Sequence, residues 1–210
     1  MPQPVPASLV ERKQRLVQQR IVEAASELFD ARGFDNVSVT DIAARAEVGR
    51  TTFFRYFGDK SEVVFAKEQE MLDAIVSSAA EGGTSGTART AGEAVEQLRP
   101  IVLDLCERAT ADAKGFTRHT QLLERHLELR ARDALKLQQI SDKLSEVLTD
   151  RGTDEATAVF AAQVALACYQ TARRRADTPR ALPAAAREAF DQALALGTPR
   201  PRHPRKSGPG

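Results

Sequence analysis

Tryptophan is absent from this 210-residue sequence, tyrosine occurs twice, and aromatic residues of all kinds make up 5 %. The two cysteines, Cys106 and Cys168, stand far apart with no CxxC spacing. That excludes a disulfide framework and fits reduced, buried thiols in a cytoplasmic protein. No apolar run is long enough to cross a bilayer, and the N-terminus has no apolar signal core, so no membrane partner is expected. β-Branched runs are scarce, which removes the main signal for a sheet. An excess of positive charge is missing as well: the formal net charge is +1. Any contact with nucleic acid therefore has to rest on a few placed cations rather than a basic stripe.

What is present is a soluble, helix-favouring composition, 42 % hydrophobic and 28 % charged, with abundant Ala and Leu. The length allows one domain of usual size plus a small appended one. Charge is spread unevenly. The first 60 residues are near balance, 61–197 carry an excess of acid, and 198–210 hold cations and no acid.

A Pro-rich opening predicts a disordered arm over 1–8. From Leu9 the pattern turns helical, with Val17, Ile21, Ala24, Ala25, Leu28 and Phe29 on one face. Gly33 supplies a left-handed stop, and Phe34 can fold back on the helix end. Ser38 and Asp41 have capping-box spacing, so a second helix is expected over 39–46. Glu47-Val48-Gly49 is the turn, a third helix covers 50–57, and Gly58 ends it. Asp59 and Glu62 start a fourth helix running from 60 towards 79.

A Gly-rich stretch at 81–89 reads as a loop. A fifth helix follows at 90–110, with Pro100 inside it. The apolar frame slips between Leu123 and Leu127, dividing 112–150 into helices at 112–126 and 127–150, the second ended by Gly152. Further helices are expected at 153–175 and 183–196, before a disordered basic tail at 198–210.

The chemistry concentrates in SVTDIAARAEVGRTTFFRYF, residues 38–57. Two short helices at a steep angle, joined by a tight turn, are what entry into the DNA major groove requires. Ile42, Ala43, Ala46, Val48, Phe53 and Tyr56 hold the helices together. The other face is left for Arg50, Thr51, Thr52 and Arg55. Thr hydroxyls reach phosphates or base edges, and Arg50 at the helix start suits a bidentate contact to guanine. Lys60, opening the fourth helix, joins an ammonium to backbone donors as a phosphate site. Arg12, Lys13, Arg15 and Arg20 either extend this surface or form a solvated helix face.

Residues 15–64, through Phe34, TDIAARAEV, TTFFRYF and GDKSEVV, resemble the N-terminal domain of the tetracycline-repressor (TetR) family of transcriptional regulators. The resemblance implies an all-α homodimer of about nine helices. A three-helix DNA-binding head (9–58) would be followed by a ligand-binding and dimerisation body (59–197). It implies DNA contacts at Thr40, Arg50, Thr51, Thr52, Phe54, Tyr56 and Lys60. Two departures stand out: Phe54 replaces the family's usual Tyr, losing a hydroxyl, and Glu47 occupies a turn position that is often Gly. Positive φ at Glu47 would cost about 1 kcal/mol.

By the same resemblance, the last two helices pair with their copies in a four-helix dimer interface, and their Ala-rich, apolar faces agree. The dimer would bind a palindromic double-stranded operator and be released by a small molecule. The fourth helix would act as lever between Lys60 and Met71, Leu72 and Ile75. Helix and face nominate Leu72, Cys106, Phe116, His119, Leu122, Phe160 and Gln163 as pocket liners, a mostly apolar set suited to a hydrophobic or aromatic effector. His119 and His126, seven apart, are too widely spaced for a metal pair, so neither metal nor cofactor is expected. The competing readings are a helical small-molecule-binding protein or enzyme with an incidental head, and a DNA-binding dimer without a ligand. No nucleophile–base set, paired carboxylates or phosphate loop supports an enzyme.

Overall fold

The computed structural model describes residues 9–81 and 86–196; the expected arm at 1–8, tail at 198–210 and part of the 81–89 loop lie outside them. Among the described residues there are ten α-helices, one short 3-10 turn and no strand. They form two compact units, one through Gln69 and one from Glu70.

The first unit opens with α1 (Leu9–Arg32), which Gly33 ends at φ 78° by donating its N–H to the Phe29 carbonyl at 3.0 Å. Phe34 folds back as its sequence position predicts, its ring 5.1 Å from that of Phe29 and 2 % exposed. Next come α2 (Val39–Arg45), α3 (Arg50–Tyr56) and α4 (Lys60–Val64). Ser38 and Asp41 form the expected capping box on α2. Ser38's hydroxyl and amide, in turn, hold the Asp41 carboxyl below its usual range. Ile21, Ala25, Ile42 and Phe53 are completely buried at the centre of this unit. The chain leaves α3 at Phe57 in extended geometry, φ −139°, rather than through a left-handed Gly58.

One expected helix is divided. Residues 60–79 form α4 and then α5 (Glu68–Glu81), separated by a turn at 65–67. Phe65 is buried at 8 % and its N–H closes back on the Glu62 carbonyl at 3.0 Å, a 3-10 bond that ends α4. This division raises the expected nine helices to ten.

In the second unit α6 (Ala91–Ala111), α7 (Ala113–Arg125), α8 (Leu127–Asp150), α9 (Glu155–Arg175) and α10 (Leu182–Ala195) follow α5, with a 3-10 turn (Pro179–Ala181) before α10. The break between α7 and α8 falls at His126, where the apolar frame slips; φ is −122° and ψ 110° there. His119 and His126 therefore do not share one continuous helix. Gly152, φ 88°, ends α8 while the Thr153 N–H bonds the Leu148 carbonyl at 3.1 Å. α9 is the central element, packed on α6, α8 and α10. Ala158, Ala161, Ala162, Ala165 and Ala172 are fully buried along it, and their small size lets three neighbours approach.

Candidate nucleic-acid interface and body site

The three short helices of the first unit start in different ways. α2 is closed by Ser38 and Asp41. α4 is closed by Asp59, whose Oδ1 accepts from the Ser61 and Glu62 amides at 2.7 and 3.0 Å, while Glu62 accepts from the Gly58 amide at 2.7 Å. α3 starts at Gly49 with no side-chain cap and no acid in its first turn.

Arg50 and Thr51 at this start are exposed, as are Arg55 and, on α2, Thr40; Thr52 and Tyr56 are half-buried. Arg55 reaches back to the Thr52 hydroxyl at 3.5 Å. Phe54 is 48 % exposed, its ring edge-on to buried Phe53 at 5.6 Å. Six of the seven α3 residues are thus presented at least partly to solvent, while Phe53 anchors the helix.

Lys60 is placed differently from its expected role. Its Nζ donates to the carbonyls of Phe34 (2.8 Å), Val37 (3.0 Å) and Asp35 (3.5 Å) and lies 4.4 Å from the Phe34 ring centroid. The ammonium ties α4 to the α1–α2 loop, and Asp59 already holds the α4 amides that were to share a phosphate. Arg20 is also turned inward, donating to the Ala46 carbonyl and pairing with Glu47 at 3.4 Å. Glu47 has φ 52°, the one positive value among described non-glycine residues, so the strain anticipated for it is present. Arg32 and Arg45 pair with Asp41 and Glu27. These arginines secure the scaffold, whereas Arg50 and Arg55 stand on α3.

In the second unit Cys106 is completely buried, and burial, with Glu107 adding to it, pushes its thiol up to about 12. Burial of this kind disfavours the thiolate. Leu72 and Phe116 pack, half-buried, against the core, and His119 and Leu122 are also half-buried. Phe160 and Gln163, expected in the pocket, face outward instead. Phe160 is 57 % exposed beside Val159 at 47 %, on an outer strip of α9. Gln163 is exposed too and donates to the Ser141 hydroxyl at 3.1 Å. Neither lines an interior space; α9 turns Ala158, Ala161, Ala162, Ala165 and Ala172 inward and these two out.

The polar centre of this unit is one that periodicity alone did not nominate. Asp133 on α8 accepts from Arg173 on α9 at 3.0 Å and faces His119 on α7 at 3.7 Å. Burial pushes the Asp133 carboxyl up, but His119 and Arg173 outweigh it and hold it below the usual range. The Arg173 guanidinium lies 5.7 Å from the Tyr169 ring, and burial drives the Tyr169 hydroxyl up to about 12 despite that charge. A signal was available. Asp133 sits on the inward row of Leu129 and Leu137, and Tyr169 and Arg173 continue the row of Ala165. A charge on an apolar row is a candidate site, because burial there has to be compensated.

Comparison with known proteins agrees with the geometry of the first unit. Residues 21–66 match the family model described as bacterial regulatory proteins, tetR family. An HTH-type transcriptional regulator of Staphylococcus aureus strain USA300 is 40 % identical over 58 residues, which are 28 % of this chain and 31 % of that protein. The chain thus matches under a third of the length of that relative. The fold extends the likeness. A TetR-family transcriptional regulator from Syntrophomonas wolfei superposes with a TM-score of 0.59, at 17 % identity, over 86 % of this chain and 96 % of its own. Thermus thermophilus FadR, a TetR-family repressor solved with lauroyl-CoA, gives 0.57 at 25 % identity over 92 % and 99 %. Residues 21–66 are thus similar to the DNA-binding region of the tetR family of bacterial regulatory proteins, and the fold of the described residues resembles that of these solved structures.

Proposed function

We propose that the protein is a ligand-responsive transcriptional regulator, a repressor that binds a palindromic operator as a homodimer in the cytoplasm and leaves it when a small molecule binds the body. The observation that carries this reading is the uncapped, acid-free start of α3, with Arg50 and Thr51 exposed there while α2 and α4 are closed. Thr40, Thr52, Arg55 and Tyr56 complete the DNA surface, with Phe54 as an apolar contact. Lys60 supports it from behind. Among the described residues no helix is long and apolar enough to cross a membrane, and no group of His, Cys, Asp and Glu could hold a metal.

Dimer symmetry would set two heads about 34–36 Å apart, one turn of DNA. The outer strip of α9, with Val159 and Phe160, supplies apolar surface for the pairing. A relative solved with lauroyl-CoA at 25 % identity supports a small-molecule effector for the body. Such a ligand shifts operator occupancy only by its differential affinity; full release from 99:1 to 1:99 takes about 10⁴-fold tighter binding to the free form.

Selection from random duplex DNA followed by gel-shift titration tests the proposal, with enrichment of a two-fold symmetric site expected. Failure to enrich any palindrome across a range of salt concentrations would overturn it. On the selected site, Arg50→Ala should cost about 1–3 kcal/mol and relax preference at one base pair per half-site. Unchanged affinity and preference would remove Arg50 from the interface.

A further inference from the structure

We infer that the Asp133–Arg173–His119–Tyr169 cluster is the recognition point for an acidic effector, an organic carboxylate whose head group takes Arg173 over from Asp133. The inference rests on the ligand-responsive reading above and adds the chemical class of the ligand.

Cost is the first argument. The Asp133 and Arg173 side chains are 18 % and 17 % exposed and meet at 3.0 Å between α8 and α9, beside a core of alanine and leucine. A pair this desolvated adds little to stability, and apolar side chains of similar volume would serve a purely structural role as well. Accessibility is the second. Neither member is sealed in, and His119, at 28 %, opens further to solvent. Both members of the pair therefore keep some contact with solvent.

The third argument is the balance of hydrogen-bonding groups. A guanidinium has five N–H donors and no acceptor. Asp133 accepts from it at 3.0 Å, and the Tyr169 oxygen also accepts from it. Its planar, donor-only face complements an acceptor-rich head group. Arg173 can present two parallel N–H bonds to a second carboxylate, the bidentate geometry that a lysine cannot provide. Asp133 then acts as a built-in competitor that keeps the guanidinium oriented while no ligand is bound. Phe116, about one turn before His119 on α7 and half-buried against the core, offers apolar surface for the remainder of the molecule.

Isothermal titration of the purified full-length chain with sodium salts of straight-chain carboxylates, butanoate to dodecanoate, tests this. Alcohols and amines of matching length serve as controls. At least one carboxylate should bind, with its alcohol and amine about tenfold weaker or more. Arg173→Lys and Arg173→Met should weaken the acid by a similar factor. Asp133→Asn should tighten it, since the competitor is gone. A merely structural pair predicts the opposite for Asp133→Asn, weaker binding or none, and keeps the idea testable if Arg173→Met fails to fold. No binding by any carboxylate, preference for amines, or weakening by Asp133→Asn would overturn the inference. Gel shifts on the selected operator separate the two readings. An acid that binds without releasing DNA supports the site and removes its regulatory role. Release by an uncharged or cationic molecule, with every acid inert, sinks the acid class and leaves the regulator standing.

Discussion

At Glu47 the backbone adopts φ 52°, a region that L-residues with a Cβ avoid because that atom crowds the following carbonyl. The strain is held by its surroundings. Arg20 bonds the Ala46 carbonyl, and the Val48 N–H bonds the Ala43 carbonyl at 2.9 Å. Glu47→Gly should therefore stabilise the head by up to about 1 kcal/mol in urea unfolding. The lost Arg20 pair subtracts little, because Glu47's side chain is 87 % exposed. A lower unfolding midpoint would show that Glu47 is held by something other than this strain. The departure from Gly was visible in the sequence, and its consequence followed from steric principles alone. The partners of Asp133 were not, since Arg173 is forty positions away and reads locally as a favourable end to a helix. Only packing of α8 on α9 turns two ordinary surface-type residues into a pair.

Elements were legible where their ends carry chemistry. Gly33, the Ser38–Asp41 box, the frame slip at His126 and Gly152 each placed a boundary. The turn at 65–67 was not, for Phe65, Ala66 and Lys67 contain neither Gly nor Pro and suit a helix. What stops α4 is tertiary: Phe65 goes into the core of the first unit, and Lys60 fixes the other end to the α1–α2 loop. Lys60→Met should accordingly destabilise the first unit by about 1.5–3 kcal/mol, the scale of hydrogen bonds to a charged donor. Its effect on operator affinity should leave the slope of log K against log salt unchanged. A phosphate contact would instead lower that slope by about 0.9. A reduced slope with normal stability would return Lys60 to the DNA surface.

For the whole molecule, the exposed strip of α9 is the surface that the proposed dimer would cover. Its buried counterpart is built of alanine and completes the packing with α6, α8 and α10. Val159 and Phe160 contribute nothing to that core, so Phe160→Asp should leave the thermal unfolding of the monomer nearly unaltered. In sedimentation velocity it should shift the dimer towards monomer and weaken operator binding with it, since one head alone holds half a site. A variant that stays dimeric at micromolar concentration would place the pairing surface elsewhere.

The single buried residue of α3 has a further consequence. Phe53 is the one fully buried residue of that helix, with Thr52 and Tyr56 half-buried beside it, and the caps and cation ties that shape the head lie in α1, α2, α4 and their loops. The exposed positions Arg50, Thr51, Phe54 and Arg55 can therefore be rewritten without renegotiating the fold. If α3 reads DNA as proposed, its preference is free to drift, or to be reprogrammed, one exposed side chain at a time on an unchanged frame.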